Sequence, residues 1–151
     1  PEADPCTVGV HNALGALREL FVRIPDTLRV GTEWADSGRY VTCRAGVRLE
    51  LSSVRVFRVT ALESRPAGAV LVVDRRATTS VLGITVRGED TTRVEGAGAG
   101  TLRYELDPVT GAVLDATGLS SLDLAVRGRI RSENARQTNA IRISPRAQRP
   151  R

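Results

Sequence analysis

The chain has 151 residues, enough for one domain with a sizeable core and too few for two. Apolar residues make up 41% and charged residues 26%, which excludes disordered composition, and no apolar run approaches the length of a bilayer span. The net charge of +5 is concentrated in "RISPRAQRPR" (142–151), with four arginines and no acid. The body is therefore nearly neutral, and no nucleic-acid partner is expected.

At the N-terminus, "PEADPC" lacks the basic and apolar regions of a signal peptide and the lipobox that would lipidate Cys6. If the protein is exported, this reads as the mature chain. Cys6 and Cys43 are the only cysteines. With His11 as the sole histidine they fall short of the four ligands of a structural zinc site. A disulfide between them is the better reading, with free buried thiols the alternative. It would tie the N-terminal segment to the first strand, contribute about 3 to 4 kcal/mol in the chain-entropy model, and imply an oxidising, extracytoplasmic compartment.

From Val10 the residues Ala13, Leu14, Leu17, Leu20, Phe21 and Ile24 recur at threes and fours, with Asn12, Arg18, Glu19 and Arg23 on the other face. This spacing predicts an amphipathic helix over about 10–23, ended by Pro25. After Trp34 the period becomes two. "AGVRLELSSVRVFRVTALE" alternates with a phase slip expected near Ser52 and Ser53, "SRPAG" is a turn, and "AVLVVDRRATTSVLGITVRG" follows as a second long strand. "GED" (88–90) makes the next corner. From Val94 to Leu106 the even positions are apolar or glycine and the odd ones polar or small, and Leu114, Ala116, Gly118, Ser120, Leu122, Leu124 and Val126 repeat that face. "SEN" (132–134) is expected to turn the chain into a last strand, "TNAIRIS".

The predicted fold is mainly β: a long-stranded antiparallel meander of six or seven strands over about 32–143, forming a half-barrel or open barrel with the helix on its apolar face. A β-sandwich is the alternative. Residues 1–143 form one domain, and 144–151 read as a basic, flexible tail.

Between the two best-patterned strands lies "YELDPVTGAV" (104–113). Asp107 is placed to accept hydrogen bonds from the amides that follow, Pro108 presets φ, and Gly111 supplies positive φ, so the stretch reads as a hairpin corner rather than a calcium or catalytic loop. That corner brings Gly96, Gly98 and Gly100 near Ala116, Gly118 and Ser120 on one face. The result is a hole in the apolar surface, to be filled by Trp34, Phe57 or helix residues such as Leu17 and Phe21, or by an apolar ligand.

Other motifs carry less. "EGAGAGT" (95–101) superficially matches a phosphate-binding loop, but a strand follows it and the chain has no lysine. His11 has no second imidazole and no marked nucleophile. The scattered carboxylates show no spacing that selects an acid pair, and the few aromatic residues form no sugar or base platform. No catalytic residue, cofactor or metal is expected.

"LRVGTEW" opening a run of long alternating strands, the late "LDPVTGAV" hairpin and the final strand pair resemble uncharacterised secreted or lipoprotein-like β-rich proteins of bacterial envelopes. In outline these are half-barrels similar to periplasmic lipoprotein carriers. The resemblance spans residues 28–143, implies an envelope or extracellular location, and carries over no functional site. The resulting expectation is a non-catalytic exported β-domain with a structural, assembly or binding role. Its alternative is a carrier holding a lipid-like ligand in the concave face. The expected partners are a second copy or another envelope protein joined by strand addition at a sheet edge.

Overall fold

Period-two alternation becomes strand throughout the described part of the chain. The computed structural model describes residues 22–44, 47–129 and 132–144. Within them run β1 (Glu33–Arg44), β2 (Val47–Arg65), β3 (Gly68–Arg87), β4 (Asp90–Leu106), β5 (Val113–Arg127) and β6 (Ser132–Ile143). They form one antiparallel sheet in the order β1-β2-β3-β4-β5-β6. The sheet is open and half-barrel-like, a single layer rather than the two of a sandwich. The helix predicted over 10–23 lies outside the described residues except for Val22 and Arg23, which have no regular structure. His11 and Cys6 also lie outside them, as does the tail from 145 onward.

The strands are long because nothing interrupts their alternation. β3 has 20 residues and spans about 66 Å at 3.3 Å per residue. Tight turns join them: Arg65 pairs with Gly68 across Pro66 and Ala67, and Arg87 pairs with Asp90 across Gly88 and Glu89.

The hairpin at 107–112 forms as its sequence predicts. One Asp107 carboxylate oxygen accepts the amides of Val109 and Thr110, both at 2.8 Å. The Gly111 amide donates to the Asp107 carbonyl at 2.8 Å, and the Asp107 amide donates to the Ala112 carbonyl at 2.9 Å. Gly111 sits at φ 71°, a conformation that strains any residue with a side chain.

Three details depart from the sequence reading. The pairing of β2 with β3 runs unbroken through Ser52 and Ser53, and the irregularity falls instead between Val59 and Ala61, leaving Thr60 as the extra residue. The two serines place polar groups in a continuous file, which imitates a slip without inserting a residue. A second irregularity lies between Glu105 and Leu106, where Leu106 pairs with Val113 and Glu105 with Asp115. Val113 therefore packs against the core while Leu114 is 37% exposed, the reverse of the strict alternation. "SEN" lies inside β6, whose pairing begins at Arg127 opposite Ser132. Its turn-like composition reflects an edge strand exposed on both faces up to Ala140.

The core occupies one face of the sheet and is split in two. The larger cluster comprises Phe57, Val59, Leu71, Val73, Leu102, Tyr104, Leu106 and Ala116, none more than 3% exposed. Val22, Ile24 and Leu28 from the segment before β1 pack against it, with Trp34, Val113, Ile141 and Ile143. Trp34 stacks on Phe57 with ring centroids 5.1 Å apart, and Phe57 meets Tyr104 at 6.5 Å. The smaller cluster, Leu49, Leu51, Val81, Val94 and Leu124, lies toward the other end of the strands. On the outer face Glu63, Arg65 and Glu105 form an ion cluster across β3, with Arg65 donating to both carboxylates at 2.6 to 3.1 Å. Arg65 lifts its own pKa above the usual arginine range through these bonds, Glu105 first, and holds Glu105 below the usual carboxylate range. Glu105 and Glu63 stand opposite Val72 and Val70, both buried on that face.

Candidate functional site

Between the two clusters the inward file of every strand changes character at the same level. Following the register across the sheet, one row reads Asp36, Arg55, Ala77, Gly100, Ser120 and Asn139, and the next reads Gly38, Ser53, Thr79, Gly98, Leu122 and Gln137. Short side chains cannot reach across a curved sheet as Phe57 and Tyr104 do. The band consequently leaves a cavity of about 200 Å³. All six strands line it, from Gly38 and Tyr40 on β1 to Asn139 and Ile141 on β6, which places the cavity inside the curl of the sheet.

The glycine hole expected from the sequence is partly filled and partly real. Its members share one face, but they are staggered rather than opposed. Only Gly100 stands directly opposite a small partner, Ser120. Gly98 faces Leu122, Gly96 faces Leu124, Gly118 faces Leu102 and Ala116 faces Tyr104. A Cβ added at Gly96 would lie 2.6 Å from Leu124 Cδ2, one at Gly98 3.0 Å from Leu122 Cδ1, and one at Gly118 2.6 Å from Leu102 Cδ1. Leucines on the adjacent strand therefore occupy the space that three of the glycines vacate. Gly98, Gly100 and Ser120 line the remaining cavity, whereas Gly96, Ala116, Gly118 and Trp34 do not. Trp34 belongs to the aromatic stack beside it.

The groups around the cavity are mixed. Leu51, Leu122 and Ile141 supply apolar surface, and Ser53, Thr79, Ser120 and Asn139 supply hydroxyl and amide groups. Arg55 and Arg75 also line it. The Arg55 guanidinium grips Asp36 in a two-pronged bond, Nε to Oδ1 at 2.7 Å and Nη2 to Oδ2 at 2.5 Å, and lies 5.5 Å from the Phe57 ring centroid. Arg75, only 3% exposed, projects from β3 at the level of Phe57 and Leu102. Taking a guanidinium so far out of water costs several kcal/mol unless other groups compensate it.

Sequence reasoning missed both arginines, and a usable signal existed. In "VRLELSSVRVFRV" the inward positions read Val47, Leu49, Leu51, Ser53, Arg55, Phe57 and Val59, a polar pair inside an apolar file. In β3 the corresponding file is Leu71, Val73, Arg75, Ala77, Thr79 and Val81. Aligning these interruptions through the register marks the band.

Cys43 lies on β1 opposite Arg48, and no cysteine is free among the described residues. No group of three or more metal-ligating side chains occurs among those residues, and no helix there is long and apolar enough to cross a membrane. No known protein family, curated protein or solved structure matches this chain.

Proposed function

We propose that the protein is a non-catalytic exported β-domain of the bacterial envelope or cell exterior, and that its role is to bind a small ligand inside the curl of its sheet. The observation that carries this reading is the cavity between the two clusters. A sheet built only for support would gain from filling that level with leucine and valine, as it does on either side. Support for the extracytoplasmic location comes from the proposed Cys6–Cys43 disulfide and from the resemblance to secreted or lipoprotein-like envelope proteins. Native mass spectrometry of gently purified protein, together with intact-mass measurement before and after reduction, tests both parts. The expected result is a bound small molecule and a two-hydrogen mass gain on reduction. A purely apo spectrum and an unchanged mass count against them.

The lipid-carrier reading draws on the apolar part of the lining, Leu51, Leu122 and Ile141. Leucines already seated against Gly96, Gly98 and Gly118 leave little room for a long chain, so the small-ligand reading is preferred. Gly98→Leu separates the two readings. Loss of stability with no change in co-purifying lipid supports packing, and loss of a bound lipid supports the carrier. Strand addition at the open edges β1 and β6 remains the proposed route to self-association. Light scattering that reports a strict monomer at high concentration refutes it.

A further inference from the structure

We infer that the ligand of this cavity is a small uncharged polyol, a molecule with hydroxyl groups at both ends of a short carbon skeleton. The inference rests on the binding role proposed above and names the chemistry of that same site. The two guanidinium groups at the wall are already engaged, Arg55 by Asp36 at 2.5 and 2.7 Å and Arg75 by contacts of its own. Among the described residues the wall also carries Ser53, Thr79, Ser120 and Asn139, and the register sorts them into two pairs. Ser53 on β2 stands opposite Thr79 on β3, and Ser120 on β5 stands opposite Asn139 on β6. Between the pairs runs β4, with Gly98 opposite Thr79 and Gly100 opposite Ser120. At about 4.8 Å per strand the β3 and β5 backbones lie about 10 Å apart along the sheet, so two polar rims flank a strip without side chains of its own. Leu122 leans over Gly98, where a Cβ would lie 3.0 Å from its Cδ1, and gives a carbon skeleton an apolar contact. A molecule that lays carbon on this strip and carries hydroxyls at both ends meets both pairs, whereas one with a single polar end meets only one. Serine and threonine hydroxyls donate and accept, as ligand hydroxyls do, so the two sets match whichever way each proton points. Asn139 Oδ1 already accepts Gln137 Nε2 at 3.1 Å, which leaves the amide N–H groups as the donors Asn139 offers. The cavity of about 200 Å³ is smaller than the usual drug-sized pocket and suits a molecule no larger than a single sugar.

Titration calorimetry of the full chain with erythritol, xylitol, glucose and myo-inositol, and with cyclohexanol as the single-hydroxyl control, tests the assignment. At least one polyol is expected to bind at least about tenfold more tightly than cyclohexanol, because a site built around hydrogen bonds rejects an analogue that leaves its groups unpaired. The probe that binds tells an open-chain polyol from a ring. Thr79→Val keeps the shape of the side chain and removes its hydroxyl, and Ser120→Ala removes the hydroxyl of the other pair. Each is expected to weaken polyol binding by about three- to tenfold, and the two together by at least about tenfold, while cooperative thermal unfolding is retained. Ser80→Ala, on the opposite face of β3, is the control and is expected to leave binding unchanged. The comparison of polyols with cyclohexanol on unaltered protein carries the test whether or not the variants fold. Cyclohexanol binding as tightly as every polyol refutes the polyol and leaves the binding role standing. Polyol binding that survives both substitutions together places the ligand elsewhere and overturns the assignment. Dissociation constants above about 10 mM for all five probes also overturn it, while the mass-spectrometric test of the binding role stands apart.

Discussion

The two apolar clusters are built from the same alternating strands, yet they reach different degrees of burial. Around Phe57 and Tyr104, six of the eight buried members have no exposed surface, whereas around Leu51 and Leu124 every buried member keeps 4 to 9%. The larger cluster has aromatic rings that reach between strands and a covering segment at Val22, Ile24 and Leu28. The smaller one has aliphatic side chains seated against glycines. Alternation assigns a face, and side-chain reach together with a cover decides how well that face is sealed.

Breaking the better-sealed end has the largest expected effect. Tyr104→Ala should cost about 3 to 5 kcal/mol in urea unfolding. Leu124→Ala at the other end should cost less, about 2 to 3 kcal/mol, because part of its surface already meets water. A result in the reverse order would show that burial does not rank the two ends.

Glycine substitutions sharpen the contrast between filled and open levels. Gly118→Ala places a Cβ 2.1 Å from the Thr101 carbonyl oxygen, against backbone that cannot swing aside, and should cost about 1 to 3 kcal/mol. At Gly100 the nearest atom is Ser120 Cβ at 3.1 Å, so Gly100→Ala should stay within about 1 kcal/mol of the parent, the tight contact offset by the backbone entropy alanine saves. The Asp36–Arg55 pair, at the border between sealed and open, should show a coupling of about 1 kcal/mol in a double-mutant cycle of Asp36→Ala and Arg55→Gln, reduced from a fully buried pair by its partial exposure.

The smallest expected effect is a pH dependence at the hairpin. The Thr110 and Val109 amides, in that order, hold the Asp107 carboxyl below its usual range. A depressed folded value gives stability that is present above the ordinary aspartate pKa near 3.9 and is lost as pH falls through the lower folded value. Asp107→Asn, which keeps an accepting oxygen, should flatten the acid limb of the stability profile below about pH 4. An unchanged limb would show that the turn bonds contribute nothing to it.

Most of the fold was legible because its determinants are local. The turns at Pro66, Gly88 and Gly111 and the long alternating runs depend only on neighbours in sequence. The cavity depends on which residue stands opposite which, and two single-residue bulges alter that. A symmetric hairpin count sets the small residues of β4 and β5 against each other. The actual register staggers them, so that leucine meets Gly96, Gly98 and Gly118, Tyr104 meets Ala116, and only Gly100 and Ser120 stand small against small. Arg55 and Arg75 read individually as solvated strand residues. Only the alignment of six files shows that they stand at one level with the glycines and serines.

The two bulges have a geometric consequence. Thr60 and Leu114 both fall near the level of Leu71 and Val72, and an extra residue bends its strand and tightens the local twist. Both strands therefore bend beside Leu71, at the end of the larger cluster that holds Leu106, and the cavity lies further along the strands, beyond Phe57, where the register runs unbroken.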